Sequence, residues 1–362
     1  CCPTVYWGRI DYLYWYGSGA DVPALVSTSP PNTDREDAGV LGLPTTSILV
    51  GNEEFGDQGR SGGRIELGRW FPQRGGWGLH FSMLGLEDGK DSQYLRSVGI
   101  PILARPFFGV EPSASGPNAE LIAFPNELEG NVLVGASTSY EAAEVMLHWI
   151  LEDCPDRRLQ FVAGYQYHRL DDDILIADFK RVMGGSSGVP FGTTLSENDY
   201  FSSENRFHGV ALGCLASVRN RRATLDTAMK LALGTTRSSV LINGSTTATV
   251  PMPGGPAEAR TTPGGLLTQR SNMGVYDNSS FAVAPELSVN LGYDLNSKTR
   301  VLLGYQFIYW SQVARASEQI DLGVNLTQLD PGGLEGEPRP IFDRKMTDYW
   351  VQGLSLGLDC RY

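Results

Sequence analysis

Apolar and polar residues alternate one for one along most of this chain, and a period of two admits few folds. In Val5–Tyr16 (VYWGRIDYLYWY), Tyr6, Gly8, Ile10, Tyr12, Tyr14 and Tyr16 share one face, while Arg9 and Asp11 lie on the other. Similar alternation marks residues 64–71, 77–86, 132–151, 159–170, 205–218, 223–234, 281–295, 300–310 and about 347 onward, giving ten strand segments in all. Helix competes for EAAEVMLHWILE, since Ala, Glu, Met and Leu favour helices. The alternation through it is unbroken and the next segment follows after EDCPDR, so strand is preferred. Pro285 interrupts the eighth segment, and a bulge is expected there because an inner strand cannot spare the N–H.

Connections between segments alternate strictly. PQRGG, EDCPDR, RNRR and NSKT are short, while the other links run to roughly 30 to 45 residues. Tight turns at one rim and large loops at the other belong to a chain passing up and down through a barrel. The segments are long enough to cross a hydrocarbon layer as tilted strands. A barrel in lipid must also close, because lipid offers an open edge no partner. Composition agrees. Charged residues are 19% and glycines number 43 of 362, which suits a Gly-rich β protein with much surface turned from water. No apolar run is long enough for a membrane helix.

The expected architecture is all-β: a closed antiparallel up-and-down transmembrane barrel of about ten strands in one domain, 1–362. It has short periplasmic turns and five long extracellular loops, at about 17–63, 87–130, 171–203, 236–280 and 313–345. VLINGSTTATV could add a hairpin within the fourth loop. Leu354, Leu356 and Leu358 of the last strand face lipid, with Tyr362 in an aromatic girdle. Tyr14, Trp15, Tyr16, Tyr165, Tyr167, Tyr309 and Trp310 mark the long-loop rim, and Trp149 and Tyr293 the opposite one, as membrane interfaces select.

The opposite face of the strands points inward. It carries Arg9, Asp11, Arg64, Glu66, His80, Glu144, His148, Asp226, Lys230 and Glu286, with Gln160, Arg300 and Gln306 beside them. Both signs are mixed, and buried charges must pair. The reading is a self-satisfying ionic plug, with a narrow conduit for ions or small solutes as the alternative. His168 beside Asp171, Asp172 and Asp173 could activate water or hold Ca²⁺, but a solvated turn is the plainer account. No Walker loop or zincin motif occurs. No enzyme activity, cofactor or metal is expected. The net charge of −12 argues against nucleic acid.

Cysteines stand at 1, 2, 154, 214 and 360 and fit no zinc motif. Cys1, Cys2, Cys154 and Cys360 map to the short-turn rim as candidate disulfides, with lipidation of Cys1 the other option for an end expected to be processed.

The ordered motifs GRIDYLYWYG, PALVSTSP, SGGRIELGRW, ARPFFG, GYQYHRLDD, ENRFHGVALG, FAVAPELSVNLGYDL and GYQFIYWSQVARASEQID resemble the planctomycete "beta-barrel porin seven" family of outer-membrane proteins, from about Val5 to Tyr362. The resemblance implies a barrel in a bacterial outer membrane with loops at the cell surface. Arg69 stands where the family favours an aromatic, and should snorkel to an interface. The expected role is structural or in surface assembly, the loops touching neighbouring subunits, a surface layer or matrix. A narrow porin is the alternative, and a surface hydrolase or adhesin stands further off. The partners expected are outer-membrane lipid and further copies of the chain.

Overall fold

A computed structural model describes residues 6–71, 76–112, 115–184, 188–329 and 333–361. Ten long strands build its wall: β1 (Tyr6–Gly17), β2 (Arg60–Phe71), β3 (Trp77–Leu86), β4 (Leu128–Asp153), β5 (Arg157–Val182), β6 (Thr194–Asn220), β7 (Ala223–Val250), β8 (Gly274–Asp294), β9 (Thr299–Val313) and β10 (Thr347–Arg361). Each pairs antiparallel with the next in sequence, and β10 pairs with β1, so the ladder neighbours run round a ring. EAAEVMLHWILE lies within β4 as strand throughout. The turn expected at PQRGG falls largely outside the described residues, as do Cys1, Cys2 and Tyr362.

Outward side chains form an apolar belt. Leu303 and Leu356 are 53% and 57% exposed, and Ile10, Leu67, Phe81, Leu147, Leu212, Leu231 and Leu291 join them. Leu354 and Leu358 stand in the same belt, with Tyr293 and Trp149 toward its short-turn edge and Tyr14, Tyr16 and Tyr165 toward the other. Beyond that second edge the outward face turns charged: Arg169 meets Asp171 at 2.7 Å and Glu204 at 3.3 Å.

Strands β4 to β8 continue past the belt, and there the apolar phase inverts. On β5, Leu159 and Tyr165 face out within the belt, whereas Leu170, Ile174 and Ile176 face in above it. On β7, Leu231 and Leu233 face out, and Val240 and Ile242 face in. The backbone pleat is unchanged; what changes is which side is dry. The stretches expected as loops at 171–203 and 236–280 are therefore strand in large part. Residues 245–250 of β7 also pair with Glu258–Pro263, which supplies a hairpin near the anticipated place. Gly89–Ser97 pairs with the outer half of β4 and widens the wall.

The remaining connections fold inward against this wall as a cap. Segments 26–28, 47–50, 103–109, 116–123 and 323–324 make a small sheet. Leu25, Val26, Phe107, Leu266, Leu267 and Val324 pack on Val132, Val134, Ile174, Phe201 and Ile242 of the wall.

Two expectations need correction, and a third finds no support. Pro285 makes no bulge: it keeps unbroken register with Leu231, and the β8–β9 ladder begins one residue later at Glu286, where the missing N–H is tolerated. Trp15 and Trp310 are not rim aromatics; at 0% and 1% exposure they point inward, one step out of phase with Tyr14 and Tyr309. No disulfide forms among the described residues, and the bonds expected from Cys1 or Cys2 fall outside them. Cys154, Cys214 and Cys360 are free, and Cys154 Sγ donates to Glu152 Oε1 at 3.4 Å. Cys154 lies on the β4–β5 turn and Cys360 on β10, several strands round the ring. With strands about 4.8 Å apart, that span exceeds the reach of an S–S bond.

Candidate functional site

The lumen is the site, and it is built in layers by alternate residues of the ten strands. The first layer is charged. Asp11 accepts from Arg9 Nε and Arg64 Nε, each at 2.8 Å. Arg64 also reaches Glu66 at 3.1 Å and donates to Gln306. His80 sits between Glu66 at 3.7 Å and Glu144 at 3.8 Å. Lys230 bridges Glu144 at 2.6 Å and Glu286 at 2.8 Å. Gln166 donates to Glu144 and Glu286, and Gln306 to Glu286. Three cations thus meet four carboxylates, with amides completing their shells. That is the condition under which buried charge is tolerated.

The structure therefore joins Arg9, Asp11, Arg64, Glu66, His80, Glu144, Lys230 and Glu286 into one network. His148 is attached to it through its ring, 5.4 Å from that of His80, and shares a hydrogen bond with Gln160 at 2.9 Å. Asp226 stands apart, bound to Ser217 and to Arg300 nearer the short-turn rim.

The second layer is apolar and aromatic. Trp15, Tyr140, Phe207, Trp310 and Tyr349 converge from β1, β4, β6, β9 and β10, with Leu13 and Leu170 between them. Three polar contacts tie this plug to its surroundings, while Trp15 Nε1 has no hydrogen-bond partner among the described residues. Trp310 Nε1 donates to Thr236 Oγ1 at 2.8 Å, Tyr140 OH pairs with His168 Nδ1 at 2.8 Å, and Arg60 donates to Tyr349 OH at 3.0 Å. The guanidinium of Arg315 lies 5.3 Å above the Tyr349 ring and pairs with Asp172. The sequence reading missed this layer. Its signal was present in phase alone: Trp15 and Trp310 share parity with the inward Asp11 and Gln306.

The third layer fastens the cap. Arg105, on segment 103–109, pairs with Asp178 of β5 at 2.8 Å and with Asp199 of β6. Lys180 joins Glu120 of the cap to Glu197 of the wall. Burial raises the carboxyl groups of Asp178 to about 6 and Glu197 to about 8. Glu120, Asp178 and Glu197 bring their oxygens within 4.8 Å of one another, with the Lys180 ammonium already on Glu120 and Glu197.

His168 and the three aspartates form no catalytic couple. His168 is buried against Phe207 and Trp310, Asp172 belongs to Arg315, and Asp171 and Asp173 face outward to Arg169 and Tyr200. Strand alternation separates what lies adjacent in sequence.

Below the plug, a cavity of about 710 Å³ runs to the short-turn rim. A ring of antiparallel strands with an apolar exterior and a charged interior defines a barrel of the porin type. The chain belongs to the family described as "Putative beta barrel porin-7 (BBP7)", which matches residues 7–362. No curated protein matches it. Among solved structures, it is similar to the transport unit of the Escherichia coli autotransporter AIDA-I, at 8% identity and a TM-score of 0.29, covering 99% of this chain and 90% of that one. The Pseudomonas putida toluene transporter TodX gives 8% and 0.23, covering 100% and 91%. A Pseudomonas aeruginosa FadL homologue gives 8% and 0.23, covering 99% and 90%.

Proposed function

We propose that this chain is a closed, plugged barrel of a bacterial outer membrane whose work is structural: it anchors a rigid capped wall at the cell surface. The apolar belt is the lipid contact, and the short turns face the periplasm. Closure follows from the physics of lipid, which leaves no unpaired strand edge unpunished. The observation that carries the structural reading is the filled lumen. Trp15, Tyr140, Phe207, Trp310 and Tyr349 occupy the barrel above the ionic layer, and the cap packs over them. A conduit needs a wet path, and a close-packed aromatic layer provides none.

The outer face of the cap and wall carries Tyr94, Val98, Ile100 and Phe191 exposed. These are the contacts offered to neighbouring copies or to surface matrix. The cavity of about 710 Å³ favours the second reading, a narrow porin, only if the plug yields. Purified protein in planar bilayers separates the two. The structural reading expects no steady ion current from the wild type once insertion is verified. A steady open conductance in wild-type protein would establish the porin instead.

A further inference from the structure

We propose that the cavity below the plug is a binding site for a saccharide of one or two rings, entering from the short-turn side. The wall made by β1 to β4 carries two aromatic rows. Trp7 is the ladder partner of Gly68, which is in turn the partner of His80; Trp70, Gly78 and His148 repeat the arrangement. Each glycine leaves the space into which the indole falls. A Cβ at Gly68 would lie 2.1 Å from Trp7, and one at Gly78 would lie 2.8 Å from Trp70.

The indoles therefore lie across the wall rather than across the lumen. Trp7 reaches the His80 ring at 5.2 Å and 32°, while Trp70 meets the His148 ring edge-on at 6.0 Å and 84° and has the Arg158 guanidinium 5.8 Å over its own ring. One face of each indole rests on backbone. Both tryptophans also line the cavity, as do Arg9, Arg64, Glu66 and Glu144 from the same four strands, so the aromatic surface of this wall is confined to the short-turn end. The wall opposite is polar: Asp226 of β7, Ser288 and Asn290 of β8, and Arg300 of β9 line the same cavity.

A sugar ring is chemically two-sided in the matching sense. Its C–H face suits an aromatic plate, and its hydroxyls both donate and accept, as a carboxylate, an amide, a hydroxyl and a guanidinium together require. Because the lining cations already have carboxylate partners, with Arg300 on Asp294 and Asp226 and Arg9 on Asp11, the cavity selects a neutral solute over an ion. Its volume falls in the range of small-molecule sites, about 300–1,000 Å³.

The test is titration calorimetry on the full chain in detergent with N,N′-diacetylchitobiose as probe and glycerol as control. The expected result is saturable binding at about millimolar Kd to the disaccharide and none to glycerol. Trp7→Ala and Trp70→Ala should each weaken it about tenfold, while Trp149→Ala, on the outer face, should not. Should either variant fail to fold, Asp226→Asn on the facing wall is expected to weaken binding in the same direction. Absence of saturation with the wild type, an equal response to glycerol, or unchanged affinity in the folded Trp7, Trp70 and Asp226 variants would overturn the proposal.

Discussion

At the scale of residues, the outer ionic cluster decides how firmly the cap is held. Glu197 and Asp178 have pKa values raised by burial to about 8 and about 6, from ordinary values of 4.5 and 3.8. A raised carboxyl binds a proton more tightly when folded. Its contribution is therefore full below the ordinary value and disappears as pH rises through the folded one. Glu120 runs the other way, lowered with Lys180 and Arg105 beside it, so its contribution is lost only in acid. Between pH 5.5 and 8.5 the raised pair dominates. Limited proteolysis of residues 103–123 is expected to speed up across that window. Glu197→Gln, which mimics the protonated acid, should flatten the alkaline part of the dependence; a profile unchanged by it would refute the assignment. Arg69 illustrates what one residue can show in sequence. Its outward parity was readable, and it lies exposed with its guanidinium 4.9 Å over Tyr6 and 4.8 Å over Phe71. This cluster was not readable, because Arg105 and Asp178 are distant in the chain and joined only by the folding of the cap.

At the scale of elements, the strands differ in how plainly they announced themselves. Segments inside the belt, such as Leu354–Leu358 and Leu287–Tyr293, alternate with the apolar set outward and read directly as strands. The outer halves of β5 and β7 alternate as well, but with the set inverted, so the pattern breaks at Leu170 and again near Gly234. A reader following one apolar phase sees a loop where the strand has merely passed from lipid into water. The plug is the other element-level feature. Trp310→Ala removes a ring that is 1% exposed and strands Thr236 Oγ1 without its donor. It is expected to lower stability by about 3–5 kcal/mol, measured as the midpoint of the heat-induced gel shift. It should also admit brief ion currents absent from the wild type. Wild-type midpoint and silence together in this variant would show that the indole does not seal the lumen.

At the scale of the whole molecule, one chain meets three surroundings in turn: lipid outside the belt, a paired ionic layer within it, and a water-facing wall that encloses a dry cap. The ring order was legible from alternating connection lengths, since up-and-down pairing is the arrangement that places all tight turns at one rim. The cap was not, because its short strands, such as Val26–Thr28 and Gly323–Val324, are too brief to carry a period. Everything functional depends on which side of the wall faces acyl chains. Single cysteines at Leu302 and Leu303, in a background lacking the native thiols, carry a fluorophore into vesicles containing brominated lipid. The label at Leu303, on the exposed face, should be quenched strongly and that at Leu302 weakly. Equal quenching, or the reverse order, would contradict the barrel in its membrane.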